Sequence, residues 1–504
     1  MHLALGPWTR MESSKDSHRL ARSATVLPAT NNKEIAMARI EKDFLGEKEL
    51  PDSAYYGVQT LRGKENFHIT GIPMSAEPYF VKAFGYVKKA AALANRDLGV
   101  LDARVADAIV GACDRLIAGE MCDQFVTDFI QGGAGTSTNM NANEVIANLA
   151  LESLGHKKGE YQFVSPNDHV NFGQSTNDIY PTAFRLALIL RLASYMDALR
   201  RLQDAFYAKG KEFGRVLKMG RTHLQDAVPM SLGQEFHGWG TTIGEEVNRI
   251  AEVRQLLHEM NLGATAIGTS VTAAPGYPEL VTRYLSELTD IKMILAGDLV
   301  EATSDTGAYV QLSGVLKRTS AKLTKICNDI RLLASGPRCG FNEINLPQMQ
   351  PGSSIMPGKV NPVIPEVVNQ TSFLVIGLDL TVTLAASAGQ LQLNVMEPVI
   401  TFALFTSIFT MENAVNSLRI NCVQGITANV ERARDMVLNS LGIVTVLKPS
   451  LGYKQCAEIA REGYETGKSL HDIVVRERKL LTQEKWDEVF SFENLISPKF
   501  DQEL

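Results

Sequence analysis

The sequence lacks the marks of several chemistries. Its 504 residues include six cysteines, at positions 113, 122, 327, 339, 422 and 456. They are scattered, with no Cys-x-x-Cys pair and no His/Cys spacing of a metal ligand set. That argues against a disulfide framework and a metal site, and predicts reduced thiols, mostly in the core of a cytoplasmic protein. There is no Gly-x-Ser-x-Gly elbow, no nucleotide-binding glycine fingerprint after a strand and no repeat of fixed period. No contiguous run reaches the roughly 18 apolar residues that span a bilayer. The nearest, around Val399 to Met411, reads as buried helix, so no membrane partner is expected. A net charge of −6 argues against a general nucleic-acid surface.

What is present is an ordinary globular balance, 45% apolar and 21% charged, in a chain long enough for more than one domain. Residues 1–36 stand apart: Arg10, Lys15, Arg19 and Arg22 lie among serines and threonines. They read as a disordered or vector-like extension, with a transit-like leader as the alternative, which Glu12, Asp16 and Glu34 weaken. From 37 to 176 short helices alternate with loops, and apolar spacing predicts helices over Pro78–Leu98 and Ala103–Ala118. Long helices are expected over 183–215, 232–260 (with Glu245 and Glu246 on its polar side), 310–335, 364–388 and 398–420. The last two are apolar nearly all round and therefore buried in a bundle or an oligomer core. A helix of 25 residues is about 37 Å long, so several predict an elongated bundle over 177–431. Residues 432–504 read as a small helical C-terminal domain.

Four polar stretches interrupt this pattern. Gly352-Ser353-Ser354-Ile355-Met356-Pro357-Gly358-Lys359-Val360-Asn361-Pro362 is a loop by its glycines and prolines. Its paired hydroxyls, free backbone N–H groups and lysine suit an oxyanion. Gln131–Asn141 is Gly-rich, then rich in hydroxyls and amides, and becomes helical from about Asn143. It is either an anion cradle at a helix start or a plain capped loop. Asn171–Asp178 repeats that chemistry before a helix expected from about Pro181; capping alone explains one such residue, not four in a row. Lys218–Ala227 places His223 beside Thr222 in a turn between long helices, as an acid, a ligand or an anion donor. The four stretches are poor in carboxylates, which suits binding a dianion where further negative charge develops, not a paired-carboxylate or metal hydrolase.

In the same order, these stretches resemble the signature blocks of the fumarase/aspartase superfamily, lyases that release fumarate by β-elimination. The resemblance runs from about residue 37, where Met37 begins a segment like the usual start of the family's chains, to the C-terminus. Gly133-Ala134-Gly135-Thr136-Ser137 and Asn361–Gln370 are most similar to the aspartase branch. The resemblance implies a mainly α, three-domain lyase whose central long-helix bundle forms a 20-helix core in a homotetramer, with active sites shared by three subunits. It implies reversible conversion of L-aspartate to fumarate and ammonia through an aci-carboxylate, with fumarate hydration as the alternative and a non-catalytic structural role, as in some lens crystallins, as a remote one. It also implies roles: Ser353 as the base on a mobile loop; Thr136, Ser175, Thr176 and Ser354 on the β-carboxylate; Lys359, Asn361 and Thr222 on the α-carboxylate; Asn177 and His223 facing the amino group, with Glu366 orienting His223. No cofactor is required by this resemblance, though Mg²⁺ activates some relatives.

Overall fold

The computed structural model describes residues 38–496; the expected extension at 1–36 lies outside the described residues. The chain is mainly helical. A hairpin of β1 (Ala38–Asp43) and β2 (Gly46–Pro51) precedes α1 (Val58–Asn66), α2 (Pro78–Asp97), α3 (Ala103–Ile117), α4 (Thr136–Ser153) and α5 (Thr176–Glu212). A second hairpin, β3 (Leu217–Thr222) and β4 (Gln225–Ser231), leads to α6 (Leu232–Arg254). Then come β5 (Glu259–Met260), α7 (Tyr277–Thr289), β6 (Ile294–Leu295), α8 (Leu299–Ser304) and α9 (Gly307–Leu333). β7 (Ile344–Asn345), α10 (Val363–Ser387), α11 (Glu397–Asn421), β8 (Thr427–Ala428), α12 (Val430–Leu438) and α13 (Lys448–Thr466) follow.

Helices α5, α6, α9, α10 and α11 form the central bundle. At 37 residues α5 is about 55 Å long and sets the length of the molecule. It starts earlier than its sequence suggests, at Thr176, with Pro181 inside. A proline there has no N–H for the carbonyl four residues back. Asn261 Nδ2 supplies the missing donor, 3.0 Å from the Asn177 carbonyl. Helix α4 likewise starts at Thr136 rather than near Asn143. Gly135 has φ +94°, and a Cβ there would meet the Tyr180 ring at 2.2 Å. The helix begins as soon as that glycine turn ends, and Thr138, Asn139, Asn141 and Asn143 are buried in its first turns.

Three further expectations change. The Lys218–Ala227 stretch is a β-hairpin, not a plain turn between helices. Glu246 is not on a polar surface: it is buried, 3.1 Å from Arg318 and 2.8 Å from Lys322 of α9. Of the two places expected to bury α10, the bundle of one chain covers only part of it, since Phe373, Leu374, Leu380 and Leu384 are exposed. By length and composition, Val363–Ser387 and Glu397–Gly425 are long and apolar enough to cross a membrane. Contiguous apolar runs missed this because threonines, serines and single charges interrupt an otherwise apolar helix. Both pack into the bundle, and the most apolar window is 61% buried in the second but only 33% in the first.

A smaller apolar cluster lies outside the main core, with Met219 of β3, Val437, Ile443, Leu447, Ile459, Ile473 and Trp486. All six cysteines are free; four are buried, Cys122 is half-buried and Cys339 is exposed.

Candidate active site

Two of the four polar stretches meet at the N-terminal ends of α4 and α5. Ser175 caps α5: its Oγ accepts from the Asn177 N–H, while Asp178 Oδ1 accepts from the Ser175 N–H at 3.0 Å. That capping box uses two of the four polar residues. Thr176 Oγ1 accepts from Asn139 Nδ2 at 3.3 Å, joining the two stretches. Asn177 Nδ2 donates to the Ala266 carbonyl at 2.7 Å. Thr136 is exposed, its hydroxyl donating to the Gly133 carbonyl at 2.7 Å. Ser175, Thr176 and Asn177 therefore share one patch, joined through Asn139 to the helix that Thr136 begins and bordered by the small-residue segment Gly263–Thr269.

Beneath this patch lies a buried polar layer. Lys88 Nζ of α2 donates to Asn171 Oδ1 at 3.0 Å and Gln174 Oε1 at 2.8 Å. Asn139 and Asn143 donate to the same Asn171 oxygen. Asp178 Oδ2 accepts from the Gly263 and Thr265 N–H groups at 3.1 and 2.8 Å. Burial pushes the Asp178 carboxyl up to about 7, against those N–H groups and Lys88. Burial also pulls Lys88 down to about 7, with Asp178 and Cys113 opposing. Asp178 closes one of the polar stretches visible in the sequence, but neither its role nor that of Lys88 or the 263–269 segment is legible there; each looks ordinary until burial is known.

The other two stretches lie elsewhere. Thr222 and His223 occupy the exposed tip of the β3–β4 hairpin, where His223 and Leu224 hold φ +56° and +59°. The His223 ring makes no hydrogen bond or ion pair among the described residues, so it does not meet Glu366 in this chain. Glu366 sits half-buried in the first turn of α10. The Gly352–Pro362 loop is closed at its neck by Gly352 N–H to the Lys359 carbonyl, 2.8 Å, and Asn361 Nδ2 to the Gly352 carbonyl, 2.6 Å. A Cβ at 352 would sit 2.5 Å from that Lys359 oxygen, so only glycine fits the neck. Ser353 Oγ accepts from the Ile355 and Met356 N–H groups at 3.2 and 3.1 Å. Two donors on a hydroxyl oxygen favour its ionised form. Ser353 and Lys359 line a concavity of about 520 Å³, while Ser354 and Lys359 are exposed and have no side-chain partner among the described residues.

The bundle separates these groups. Ser175–Asn177 begin α5 and the Thr222–His223 hairpin follows its end, so about 55 Å of helix lies between them. Helix α10 starts beside the C-terminal part of α9, where Asn369 Nδ2 donates to Asn328 Oδ1 at 2.7 Å. It therefore runs from the hairpin end back toward the start of α5, and the Ser353 loop lies at the hairpin end. Among the described residues no group of three or more His, Cys, Asp or Glu side chains is gathered as a metal site.

A family model described as Lyase matches residues 46–377, and one described as Fumarase C C-terminus matches 443–497. The aspartate ammonia-lyase of Helicobacter pylori (strain J99) is 56% identical over 460 residues, covering 91% of this chain and 98% of the relative. A crystal structure of fumarate lyase:delta crystallin from Brucella melitensis, bound to cobalt, is 50% identical with a TM-score of 0.88 and covers 91% of this chain and 99% of that one. The recombinant class II fumarase of Schistosoma mansoni is 35% identical with a TM-score of 0.85, covering 92% of this chain and all of that one. With the Lyase model spanning most of the chain and both structures following its fold nearly end to end, this protein belongs to the lyase family of the fumarases and aspartate ammonia-lyases.

Proposed function

We infer that this enzyme is a carbon–nitrogen lyase that deaminates L-aspartate reversibly to fumarate and ammonia. The observation that carries the reading is the 56% identity to an aspartate ammonia-lyase over 91% of the chain, against 35% to a class II fumarase. In this reading Ser353, as an oxyanion held by the Ile355 and Met356 N–H groups, takes a proton from the carbon beside the β-carboxylate. That carboxylate becomes an aci-carboxylate, and donors placed for its added charge lower the barrier. Thr136, Ser175, Thr176 and Ser354 serve it. Lys359, Asn361 and Thr222 hold the α-carboxylate, while Asn177 and His223, the latter oriented by Glu366, face the amino group. The electron pair of the broken C–H bond forms the C=C bond, the C–N bond breaks, and ammonia leaves.

The donors of this scheme stand at both ends of one bundle. A second copy placed antiparallel would bring the Ser353 loop and the hairpin tip of some chains to the α5 start of another. This supports a homotetramer with sites shared by three subunits, and the exposed apolar face of α10 is the surface such copies would bury. The reading takes a small dicarboxylate as substrate, places the enzyme in the cytoplasm and requires no cofactor, with Mg²⁺ as an activator to be tested by chelation and re-addition.

The test is absorbance in the fumarate band with purified protein. A rise on L-aspartate, with ammonia released, is expected. A rise on L-malate alone would replace this reading with fumarate hydratase, the activity named for the S. mansoni relative. Silence on both would leave a structural role.

A further inference from the structure

The hairpin that carries Thr222 and His223 is strained at its tip. Two consecutive non-glycine residues, His223 and Leu224, hold positive φ, where glycine or asparagine is usual. Such conformations persist when the surrounding structure over-determines them. Behind the tip the register of β3 against β4 shifts between Met219 and Arg221, a bulge that re-aims the next side chain. What receives that side chain is Glu343, which is fully buried.

The Arg221 guanidinium reaches Glu343 Oε1 at 2.6 Å and lies 4.3 Å from the centre of the Phe341 ring. Lys218 Nζ stands 3.5 Å from Glu343 Oε2 and also pairs with Glu235 of α6. Two cations of β3 are thus matched by two carboxylates. The Glu343 backbone is fixed on both sides: its N–H donates to the Leu333 carbonyl at the end of α9, and its carbonyl accepts from the Asn429 N–H. One residue later Ile344 pairs with Ala428 in the β7–β8 ladder. Glu343 therefore refers the hairpin to the end of α9 and to the strand from which the Ser353 loop departs, ten residues on.

We propose that Glu343 is a positioning residue: through Arg221 and Lys218 it sets the hairpin tip that presents Thr222 and His223 to substrate. This rests on the reading above, in which those two residues contact the amino acid. Groups that orient the direct ligands of a metal typically cost 10–100-fold when removed, and a loss of the same order is expected for a group that orients residues contacting substrate.

The test is a double-mutant cycle with the full-length enzyme. Glu343→Gln keeps shape and removes charge, and is expected to raise KM for L-aspartate about 10–100-fold with a smaller change in kcat. Thr222→Ala raises KM on its own. If Glu343 acts through the tip, the effect of Glu343→Gln is smaller in the Thr222→Ala background than in the wild type, because only the part exerted through His223 remains. Multiplying effects, or a lowered melting temperature with KM unmoved, would overturn the proposal and leave Glu343 a scaffold residue. Should Glu343→Gln fail to fold, Arg221→Lys keeps the charge but loses the planar fork and the ring stacking, and the same cycle with Thr222→Ala decides. Wild-type enzyme that turns over only L-malate would change the substrate, and the cycle is then read with L-malate. Wild-type silence on both substrates would fail the underlying reaction instead, which an active wild type with an unaffected variant would not.

Discussion

In the proposed reaction Ser353 carries the heaviest chemical demand, since an unassisted hydroxyl is a poor base. Its oxygen is held by two backbone N–H groups, and it lines a small concavity together with Lys359. Ser353→Ala is expected to lower kcat by about 10²–10⁴-fold with oligomeric state unchanged by gel filtration; near-wild-type turnover would remove it as the base. A different residue-scale effect comes from Glu397, buried on α11, whose carboxyl is pushed up to about 8 by burial, with Arg185 opposing. A carboxyl raised in the folded state keeps a proton that the unfolded chain has released. Stability from this group is therefore lost as pH rises from about 4.5 to about 8. Glu397→Gln stays neutral throughout, so its melting temperature relative to wild type should climb between pH 5 and pH 8, by an amount on the order of a few kcal/mol in stability. A pH-independent difference would mean that Glu397 is ionised in the fold. The loop that carries Ser353 was legible in the sequence because glycines and prolines frame it. Glu397 and Glu343 were not, because their character comes from burial, which no local pattern reports.

At the scale of elements, the long helices were readable from their apolar period, and their ends were not. The start of α5 shows why. Pro181 and the run Ser175-Thr176-Asn177-Asp178 look like loop chemistry, yet the helix begins before the proline because Asn261 replaces the hydrogen bond that Pro181 cannot make. Asn261→Ala leaves the half-buried Asn177 carbonyl without that donor and should cost about 1–3 kcal/mol by chemical denaturation. Adding Pro181→Ala restores an N–H to that carbonyl and should recover part of the loss; additive destabilisation would refute the repair. The β3–β4 hairpin escaped the sequence for the opposite reason. Its turn residues, His223 and Leu224, are not the glycine or asparagine that marks a two-residue hairpin turn, and the Glu343 ion network that holds them is far away in sequence.

At the scale of the molecule, the donor set is split between the ends of a bundle about 55 Å long. Thr136, Ser175, Thr176 and Asn177 stand at one end; Thr222, His223, Ser353 and Lys359 stand at the other. Meanwhile α10 leaves Leu380 and Leu384 each 60% exposed, an apolar face that water disfavours and a second copy would cover. The residue types of the four loops were legible in the sequence, but their separation within one chain was not, because sequence order does not record how far a helix carries them apart; only the family resemblance implied sites shared between subunits. If the site is assembled between chains, Ser353→Ala and Asn177→Ala damage different subunits of each site. Oligomers formed by refolding the two variants together then contain some sites with both residues intact and others with neither. Each variant alone should be nearly inactive, and the co-refolded mixture should regain activity that neither parent shows. Leu380→Glu should dissociate the assembly in gel filtration and abolish turnover with it. A monomer that keeps full activity, or a mixture that regains none, would require one chain to close the whole site by itself, against the length of its own central helix.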